Sequence, residues 1–189
     1  MHLAVNAYFW NWPHTGSGRY TRQLVYHLNR LVSDMEITLV FPLAQGDPGP
    51  EDVPPSVNVK TVAIRPGHLG KIHFEQIVFP RACRAIGATV AHVPYWGSPL
   101  QSPIPFVVTV HDLTTLLVRE YRRGLGSRLY NALVAASARE AGAVITDSGA
   151  SKKDIVERLG IPSADVTSIY LAADRRYSPD PDVLLDMAR

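Results

Sequence analysis

Two glycines follow the first predicted strand, in a loop that leads into a helix. Gly16, Ser17 and Gly18 form this segment. Glycine lets the backbone approach a ligand closely, and the first N–H groups of a helix favour phosphate. Thr21 occupies the position of the third glycine in the dinucleotide-binding fingerprint, so that type of site is not indicated. The segment predicts a phosphate-binding loop, with a flexible loop and a helix cap as the alternative.

A histidine and an aspartate, His111 and Asp112, come directly after the clearest predicted strand, FVVTV. Histidine can donate to a sugar hydroxyl or a phosphate, and its charge can change near neutral pH. Asp112 either orients the imidazole or caps the next segment, and the alternative to a chemical role is a histidine satisfied at a strand end. Apart from His92, no further His or Cys has the spacing of a ligand set, so no metal site is predicted.

Ser148, Ser151 and Lys152 lie where another predicted strand ends and a helix begins. The start of a helix favours anions because its first N–H groups are free. The alternative is simple capping, since Ser151 and Asp154 have the spacing of a capping box with Asp in place of the usual Glu. This pattern predicts a helix that opens at Ser151 and leaves Ser148 as a candidate ligand contact in the cleft.

Aromatic residues also follow the first and fourth predicted strands. Tyr95 and Trp96 follow the fourth strand, and the run YFWNW at residues 8–12 follows the first. Aromatic faces stack on ligands or close a cleft, so Tyr95 and Trp96 are candidate acceptor contacts. The alternative is that these rings pack their own loops against the protein.

The remaining charged residues have simpler interpretations. Glu75 and Gln76 lie on a predicted helix and are expected at the surface or against another domain. The basic stretch at residues 119–123 is expected to be a solvated loop, or else a patch that steers an anionic acceptor or faces a membrane. The sequence shows no Ser-His-Asp set, nucleophile elbow, Walker loop or close carboxylate pair.

The candidate residues can form one site only if the fold brings the strand ends together, and the apolar pattern predicts such a fold. Short apolar runs alternate with helical patterns, which indicates an α/β fold with a doubly wound, mostly parallel sheet of about seven strands. In such sheets ligands bind beyond the carboxyl ends of the strands. Pro80 should kink or split its helix. The predicted strands are residues 2–6, 37–41, 57–64, 90–93, 106–110, 143–146 and 166–170, and the predicted helices are residues 17–33, 72–86, 127–141 and one that opens at residue 151.

The composition indicates a globular domain rather than a disordered chain, with 189 residues, 46% of them hydrophobic and 19% charged. The formal net charge of +2 gives no reason to expect nucleic acid as a partner. The single cysteine, Cys83, excludes an internal disulfide, fits a reducing compartment and is expected to pack in the core. Because no signal peptide or transmembrane run is recognised, a cytoplasmic location is expected.

Five segments in order resemble one family. They are TGSGRYTRQLVYHL, FEQIVFPRACRAIGATVAHVP, FVVTVHDL, AGAVITDSGASKKDIVERLGIP and SIYLAADRRYSPD. From Met1 to about Pro179 the chain resembles the amino-terminal half of the retaining family-four ("group 1") glycosyltransferases, which have a GT-B fold of two Rossmann-like domains across a cleft. The resemblance implies an acceptor-side domain at residues 1–175. It implies that residues 176–189 begin a linker to a carboxyl-terminal, donor-binding domain beyond this chain.

The resemblance also implies roles for individual residues. His111 matches the cleft histidine that contacts the donor sugar and supports transfer. Gly16 and Gly18 match the loop that approaches the donor phosphates, and Ser148 and Lys152 match an S-x-x-S-K segment near the cleft.

The implied reaction transfers a hexose, with mannose as one candidate, from a nucleotide-diphosphate sugar to an acceptor hydroxyl with retention. The nucleotide sugar is a substrate, and no cofactor or metal is implied. The expected partners are the donor, a glycan, lipid-linked or small-molecule acceptor, the second domain in cis and, as an open alternative, the inner face of a membrane. Residues 1–189 alone are expected to transfer nothing. Two alternatives stay open: a stand-alone sugar- or nucleotide-binding module, and a nucleotide-sugar epimerase of the same architecture.

Overall fold

A computed structural model of the protein describes residues 1–118 and 124–173. The basic stretch at 119–123 and the predicted linker at 176–189 lie outside the described residues. Among those that are described, no helix combines the length and apolar character that crossing a membrane requires. The strands and α-helices are, in chain order, β1 (His2–Asn6), α1 (Gly16–Leu31), β2 (Glu36–Leu43), β3 (Asn58–Ala63), α2 (His68–His73), α3 (Phe79–Ala85), β4 (Val90–Val93), β5 (Phe106–Thr109), α4 (Thr114–Leu117), α5 (Leu125–Arg139), β6 (Ala143–Thr146), α6 (Gly149–Asp154) and β7 (Val166–Ser168).

The seven strands of the described residues form one sheet in the order β3-β2-β1-β4-β5-β6-β7, and every neighbouring pair is parallel. Strands β1 and β2 are buried along almost their whole length, as expected for a sheet covered on both faces. The predicted α/β fold is therefore confirmed. The strand order reverses at β1 and β4, and at such a switch point the following loops leave a crevice above the carboxyl ends of the strands.

Two apolar clusters hold the helices onto the sheet. The first contains Trp10, from the loop after β1, and Val25 of α1 together with residues of β1 and β2. The second contains Phe74, Phe79 and Cys83 together with residues of β4, β5 and β6. Cys83 is fully buried and burial raises the pKa of its thiol to about 12, which confirms its predicted packing role.

The predicted helix at residues 72–86 is longer and is divided into three parts. Between α2 and α3 lies a π-helical turn, Phe74–Val78. The Phe79 N–H donates to the Phe74 carbonyl, five residues back, which is the π-helical register. The next residue, Pro80, has no N–H and would clash with a carbonyl of a regular α-helix. Pro80 therefore splits the helix as predicted, through a widened turn rather than a break.

Candidate functional site

His111 and Asp147 meet at the carboxyl edge of the sheet. His111 lies just after β5 and Asp147 just after β6, and these strands pair in register at Thr109 and Ile145. The His111 Nδ1 atom lies 2.6 Å from Asp147 Oδ2. Of the two predictions for Asp112, the structure matches the contact with the next segment. Asp112 Oδ1 accepts from the Thr114 N–H at 2.7 Å, at the start of α4. Asp147, which was not singled out in the sequence, is therefore the carboxylate that orients His111.

The pairing leaves two polar atoms without hydrogen-bond partners in the described part of the chain. His111 Nε2 and Asp147 Oδ1 are enclosed and have no hydrogen-bond partner among the described residues. An ionised carboxylate only accepts hydrogen bonds, so Nδ1 carries the proton and Nε2 presents a lone pair when the ring is neutral. The side chains of His111 and Asp147 are 28% and 22% exposed, while Nε2 and Oδ1 themselves are enclosed.

A second row of residues supports the His111 ring. Tyr20 of α1 meets it edge to face, with ring centroids 4.7 Å apart. The Tyr20 hydroxyl lies 3.3 Å from Thr109 Oγ1, which also lies 2.9 Å from His92 Nε2. Burial, with a smaller effect of nearby His111, lowers the pKa of His92 to about 4, so His92 is neutral near pH 7. The glycine-loop segment thus contributes to the site through Tyr20, which the sequence patterns did not indicate.

The two glycines of the predicted phosphate loop occupy different surroundings. A Cβ on Gly18 would lie 2.1 Å from the Trp12 carbonyl oxygen, so Gly18 is required by the close approach of its own loop. A Cβ on Gly16 would meet nothing within 4 Å. Thr15 Oγ1 accepts from the Gly18 N–H at 3.1 Å and caps α1. The earlier N–H groups of Gly16 and Ser17 have no intrahelical acceptor, and they are the ones suited to a phosphate.

The predicted capping box at Ser151 is wrong. Helix α6 begins at Gly149, and Ser148 is its cap, since Ser148 Oγ accepts from the Ser151 N–H at 3.1 Å. Ser148 has an extended backbone because it ends the loop from β6, and this geometry suits a cap. Lys152 Nζ donates to the Val166 carbonyl at 2.6 Å and so ties α6 to β7.

The two aromatic residues after β4 are occupied by contacts within the protein. Tyr95 is 4% exposed and its hydroxyl donates to Asn6 Oδ1 at 3.1 Å. The half-buried Trp96 donates from Nε1 to the Val134 carbonyl of α5 at 3.0 Å. These contacts match the alternative interpretation, in which the rings pack their loop against the protein.

Glu75 contradicts its predicted surface position, because its side chain is fully buried. The carboxylate accepts from Lys71 Nζ and from the Tyr130 hydroxyl, which lies 3.1 Å from Oε2. Burial raises the pKa of Glu75, although Lys71 and Tyr130 oppose the shift. The sequence shows Lys71 and Glu75 at the i and i+4 spacing of a helical ion pair. Their burial depends on Tyr130, which is distant in the chain.

Lys71 lies within an aromatic enclosure that we call the lysine cage. Its Nζ lies 4.8 to 5.9 Å from four ring centroids, and the side chain is 17% exposed. Rings at this distance attract a cation through their negative faces. The four rings belong to Tyr8, Phe9, Tyr95 and Tyr130.

Solved structures of three chains share this fold. Sucrose-phosphate synthase from Thermosynechococcus elongatus has a TM-score of 0.65 and 19% identity, and the match covers 100% of this chain and 53% of that one. A shorter chain of the same enzyme from that organism has a TM-score of 0.53 and 16% identity, over 100% of this chain and 96% of that one. UDP-GlcNAc 2-epimerase from Methanocaldococcus jannaschii has a TM-score of 0.56 and 10% identity, over 89% of this chain and 45% of that one.

At these identities the likeness establishes the fold, that of one Rossmann-like half of a GT-B pair. The chain spans about half the length of the longer sucrose-phosphate synthase chain, since the match covers 53% of that chain. No curated protein matches the sequence. The family model of Glycosyltransferase Family 4 matches residues 14–176, a range that includes the glycine loop, the lysine cage from Lys71 onward and the His111–Asp147 pair. The chain therefore belongs to Glycosyltransferase Family 4.

Proposed function

We propose that this chain is the acceptor-side, amino-terminal domain of a glycosyltransferase that moves a hexose from a nucleotide-diphosphate sugar to an acceptor hydroxyl. The observation that carries the proposal is the His111–Asp147 pair at the carboxyl edge of the sheet. In a member of this family, an oriented histidine with an unpartnered Nε2 is suited to hold a sugar hydroxyl during transfer.

In the proposed mechanism Asp147 keeps the proton on Nδ1, and Nε2 accepts a hydrogen bond from a hydroxyl of the donor sugar. Tyr20, which is itself hydrogen-bonded to Thr109, packs edge to face on the ring and limits its rotation. A fixed imidazole positions the sugar without reorganisation during the reaction, which is how preorganised groups lower a barrier.

The leaving diphosphate develops negative charge as the bond to the sugar breaks. The free N–H groups at the start of α1, on Gly16 and Ser17, are suited to stabilise that charge. The open space beside Gly16 leaves room for a phosphate. We expect a second domain in cis to supply most contacts to the nucleotide and to exclude water on closing.

The finer features of the proposal follow the resemblance of the sequence to the retaining "group 1" enzymes. We propose transfer with retention, mannose as the first hexose to test, no resident metal or cofactor and a cytoplasmic location. The acceptor is a glycan, a lipid-linked sugar or a small glycoside, with contact to the inner face of a membrane if the acceptor is lipid-linked.

A donor panel on the full-length protein tests this proposal. Nucleoside-diphosphate release is measured for UDP- and GDP-hexoses with neutral and phosphorylated acceptors, and the anomeric configuration of the product is read by NMR. We expect acceptor-dependent release with retention for one donor. Absence of release with every donor would overturn the proposed activity, and an inverted product would overturn retention alone.

The isolated fragment supplies a second test. Because the proposed donor contacts lie mainly in the second domain, residues 1–189 should transfer nothing under conditions in which the full-length protein turns over. Transfer by the fragment at a comparable rate would show that this half holds the donor itself.

A further inference from the structure

The lysine cage lies at the switch point of the sheet. Tyr8 comes two residues after the end of β1, and Tyr95 comes two residues after the end of β4. These neighbouring strands are the ones at which the order reverses. The cage therefore borders the crevice in which open parallel sheets bind ligands.

The loop after β4 is fitted closely to the buried carboxylate of the cage. A Cβ on Gly97 would lie 2.5 Å from Glu75 Oε1, so only glycine fits there without displacing Glu75. The neighbouring Gln76 donates to the Ser98 carbonyl and accepts from the Leu100 N–H, both at 2.9 Å. The helix that carries Lys71 thus holds the rim of the crevice in one arrangement.

The charges of the cage cancel. Lys71 is the cation and Glu75, fully buried beneath it, is the anion. A site with no net charge gives little electrostatic reason to bind a phosphate or a carboxylate. The cage differs in this respect from the start of α1, whose free N–H groups favour an anion.

One N–H of the Lys71 ammonium has no hydrogen-bond acceptor among the residues that the structure describes. An ammonium group has three protons, and two of them go to Glu75 and to the Tyr130 hydroxyl. Lys71 keeps 17% of its side chain exposed, and the rings of Tyr8 and Tyr130 are partly exposed around it. An aromatic rim around a charged donor suits a pyranose, which has weakly apolar C–H faces and hydroxyl acceptors.

We propose that the lysine cage is the acceptor subsite, and that it takes an uncharged saccharide whose hydroxyl accepts a hydrogen bond from the remaining N–H of Lys71 Nζ. This inference rests on the proposed glycosyltransfer. It assigns the acceptor to the β1–β4 side of the crevice and leaves the β5–β6 side, at His111, to the donor sugar. Lys71 and Tyr8 then determine which acceptor is used, while Glu75 and Tyr130 position Lys71.

The test uses the full-length protein and two readouts that do not depend on each other. The first is saturation-transfer NMR with methyl α-D-mannopyranoside as the neutral probe and mannose 6-phosphate as the anionic one. The second is the split between KM and kcat for the best acceptor of the panel. The variants are Lys71→Met, the conservative Lys71→Arg, Tyr8→Leu and Glu75→Gln, and the matched control is Lys60→Met at an exposed lysine of the edge strand β3.

We expect Lys71→Met to lose saturation transfer from the neutral probe and to raise the acceptor KM by about tenfold or more, because a charge-assisted hydrogen bond is lost. The donor KM should change much less. Lys71→Arg should retain part of the affinity, and Lys60→Met should match the wild type. Glu75→Gln leaves the cage with a net positive charge. The binding preference of this variant should therefore shift from the neutral glycoside toward mannose 6-phosphate. If Lys71→Met does not fold, as judged by circular dichroism, Tyr8→Leu and Glu75→Gln supply the same comparison.

Neutral-probe binding and an acceptor KM that are both unchanged in Lys71→Met and Tyr8→Leu would overturn the acceptor subsite. Stronger binding of the wild type to mannose 6-phosphate than to the neutral glycoside would overturn the assigned class of acceptor. Both results differ from a failure of the proposed function, which is the absence of donor turnover in the unsubstituted protein.

Discussion

The His111 pair and the lysine cage lie on the same edge of the sheet, but their polar atoms are satisfied to different extents. Among the residues described, His111 Nε2 and Asp147 Oδ1 are enclosed without a partner, and so are Asn6 Nδ2 and Ser98 Oγ beside the cage. In the cage, Glu75 accepts from both Lys71 and Tyr130, and Lys71 is surrounded by four rings. Enclosed polar atoms without partners lower stability unless a ligand satisfies them, whereas a satisfied network fixes the backbone around it.

The proposed roles divide the tasks of the reaction between the two sides of this edge of the sheet. On the β5–β6 side two enclosed polar atoms lack partners within the described residues, and on the β1–β4 side the cage holds two loops, α2 and α5 together. Substitutions on the two sides should therefore change different quantities. On the His111 side they should change turnover, and at the cage they should change stability and acceptor affinity.

The largest stability effect is expected for Lys71→Met, which leaves the Glu75 carboxylate buried without its cation. Removing one partner of a buried ion pair costs about 3 kcal/mol or more of the free energy of unfolding. Urea unfolding followed by circular dichroism measures the loss, with Lys60→Met as the control. A loss no larger than that of the control would show that the cage does not stabilise the domain.

The same variant should also change the pH dependence of stability. The pKa of Glu75 is already raised above its ordinary value of 4.5, so the folded state binds more protons just above that pH and stability falls as pH rises. Removing Lys71 removes a group that lowers this pKa. The free energy of unfolding of Lys71→Met should therefore fall more than that of the wild type between about pH 5 and about pH 7. Parallel pH profiles would contradict the assigned role of Lys71.

Asp147→Asn should reduce turnover while leaving the fold intact. The amide can donate to Nδ1, which moves the imidazole proton to Nε2 and removes the lone pair that faces the substrate. We expect kcat to fall by about 100-fold. Asp112→Asn is the informative comparison, since Asp112 accepts from the Thr114 N–H at the start of α4 and should have the smaller effect. Equal effects of the two variants would show that Asp147 does not orient His111.

Alanine substitutions at the two glycines of the loop separate a packing role from a ligand-binding role. Gly18→Ala should lose about 2 kcal/mol of stability, because the added methyl overlaps the Trp12 carbonyl. Gly16→Ala should be close to neutral in stability but should raise the donor KM, since its methyl occupies the space suited to a phosphate. Thermal unfolding and donor kinetics on both variants separate the two effects. A donor KM unchanged in Gly16→Ala would remove Gly16 from the proposed phosphate contact.

The smallest effect concerns the start of α6. Ser148→Ala should lose about 1 kcal/mol, the usual cost of removing a helix cap. Ser151→Ala should lose less, because it keeps the Ser151 N–H that donates to Ser148 Oγ and removes only the hydroxyl that accepts from Ser148 Oγ at 3.0 Å. The reverse order would restore Ser151 as the cap.

The parallel sheet and the position of His111 at its carboxyl edge were predictable from the sequence because both depend on local pattern. A buried parallel strand is a short apolar run, so β1 and β4 were predicted with the observed limits. The polar residues that follow such strands then fall at one edge by geometry. His111 was placed at this edge in this way, and the roles of His111 and the glycine loop stay predictions.

The partners in the site were not predictable because they depend on contacts between distant residues. Asp147 meets His111 across 36 positions, and Asp112, next to the histidine, was an equally reasonable partner. Glu75 was expected at the surface because a helix places acidic residues there more often than in its core. Its burial follows from the π turn and from Tyr130, 55 residues away. Ser148 and Ser151 both fit a cap in sequence, and the backbone after β6 decides between them.

The most direct test of the central claim is the turnover of His111→Ala in the full-length protein, measured as acceptor-dependent nucleoside-diphosphate release. His27→Ala, at an exposed histidine of α1, is the matched control. We expect kcat to fall by about 100-fold to 10,000-fold with an unchanged circular dichroism spectrum, while the control stays at the wild-type rate. Turnover of His111→Ala at the rate of the control would contradict the assignment of the His111–Asp147 pair to the reaction.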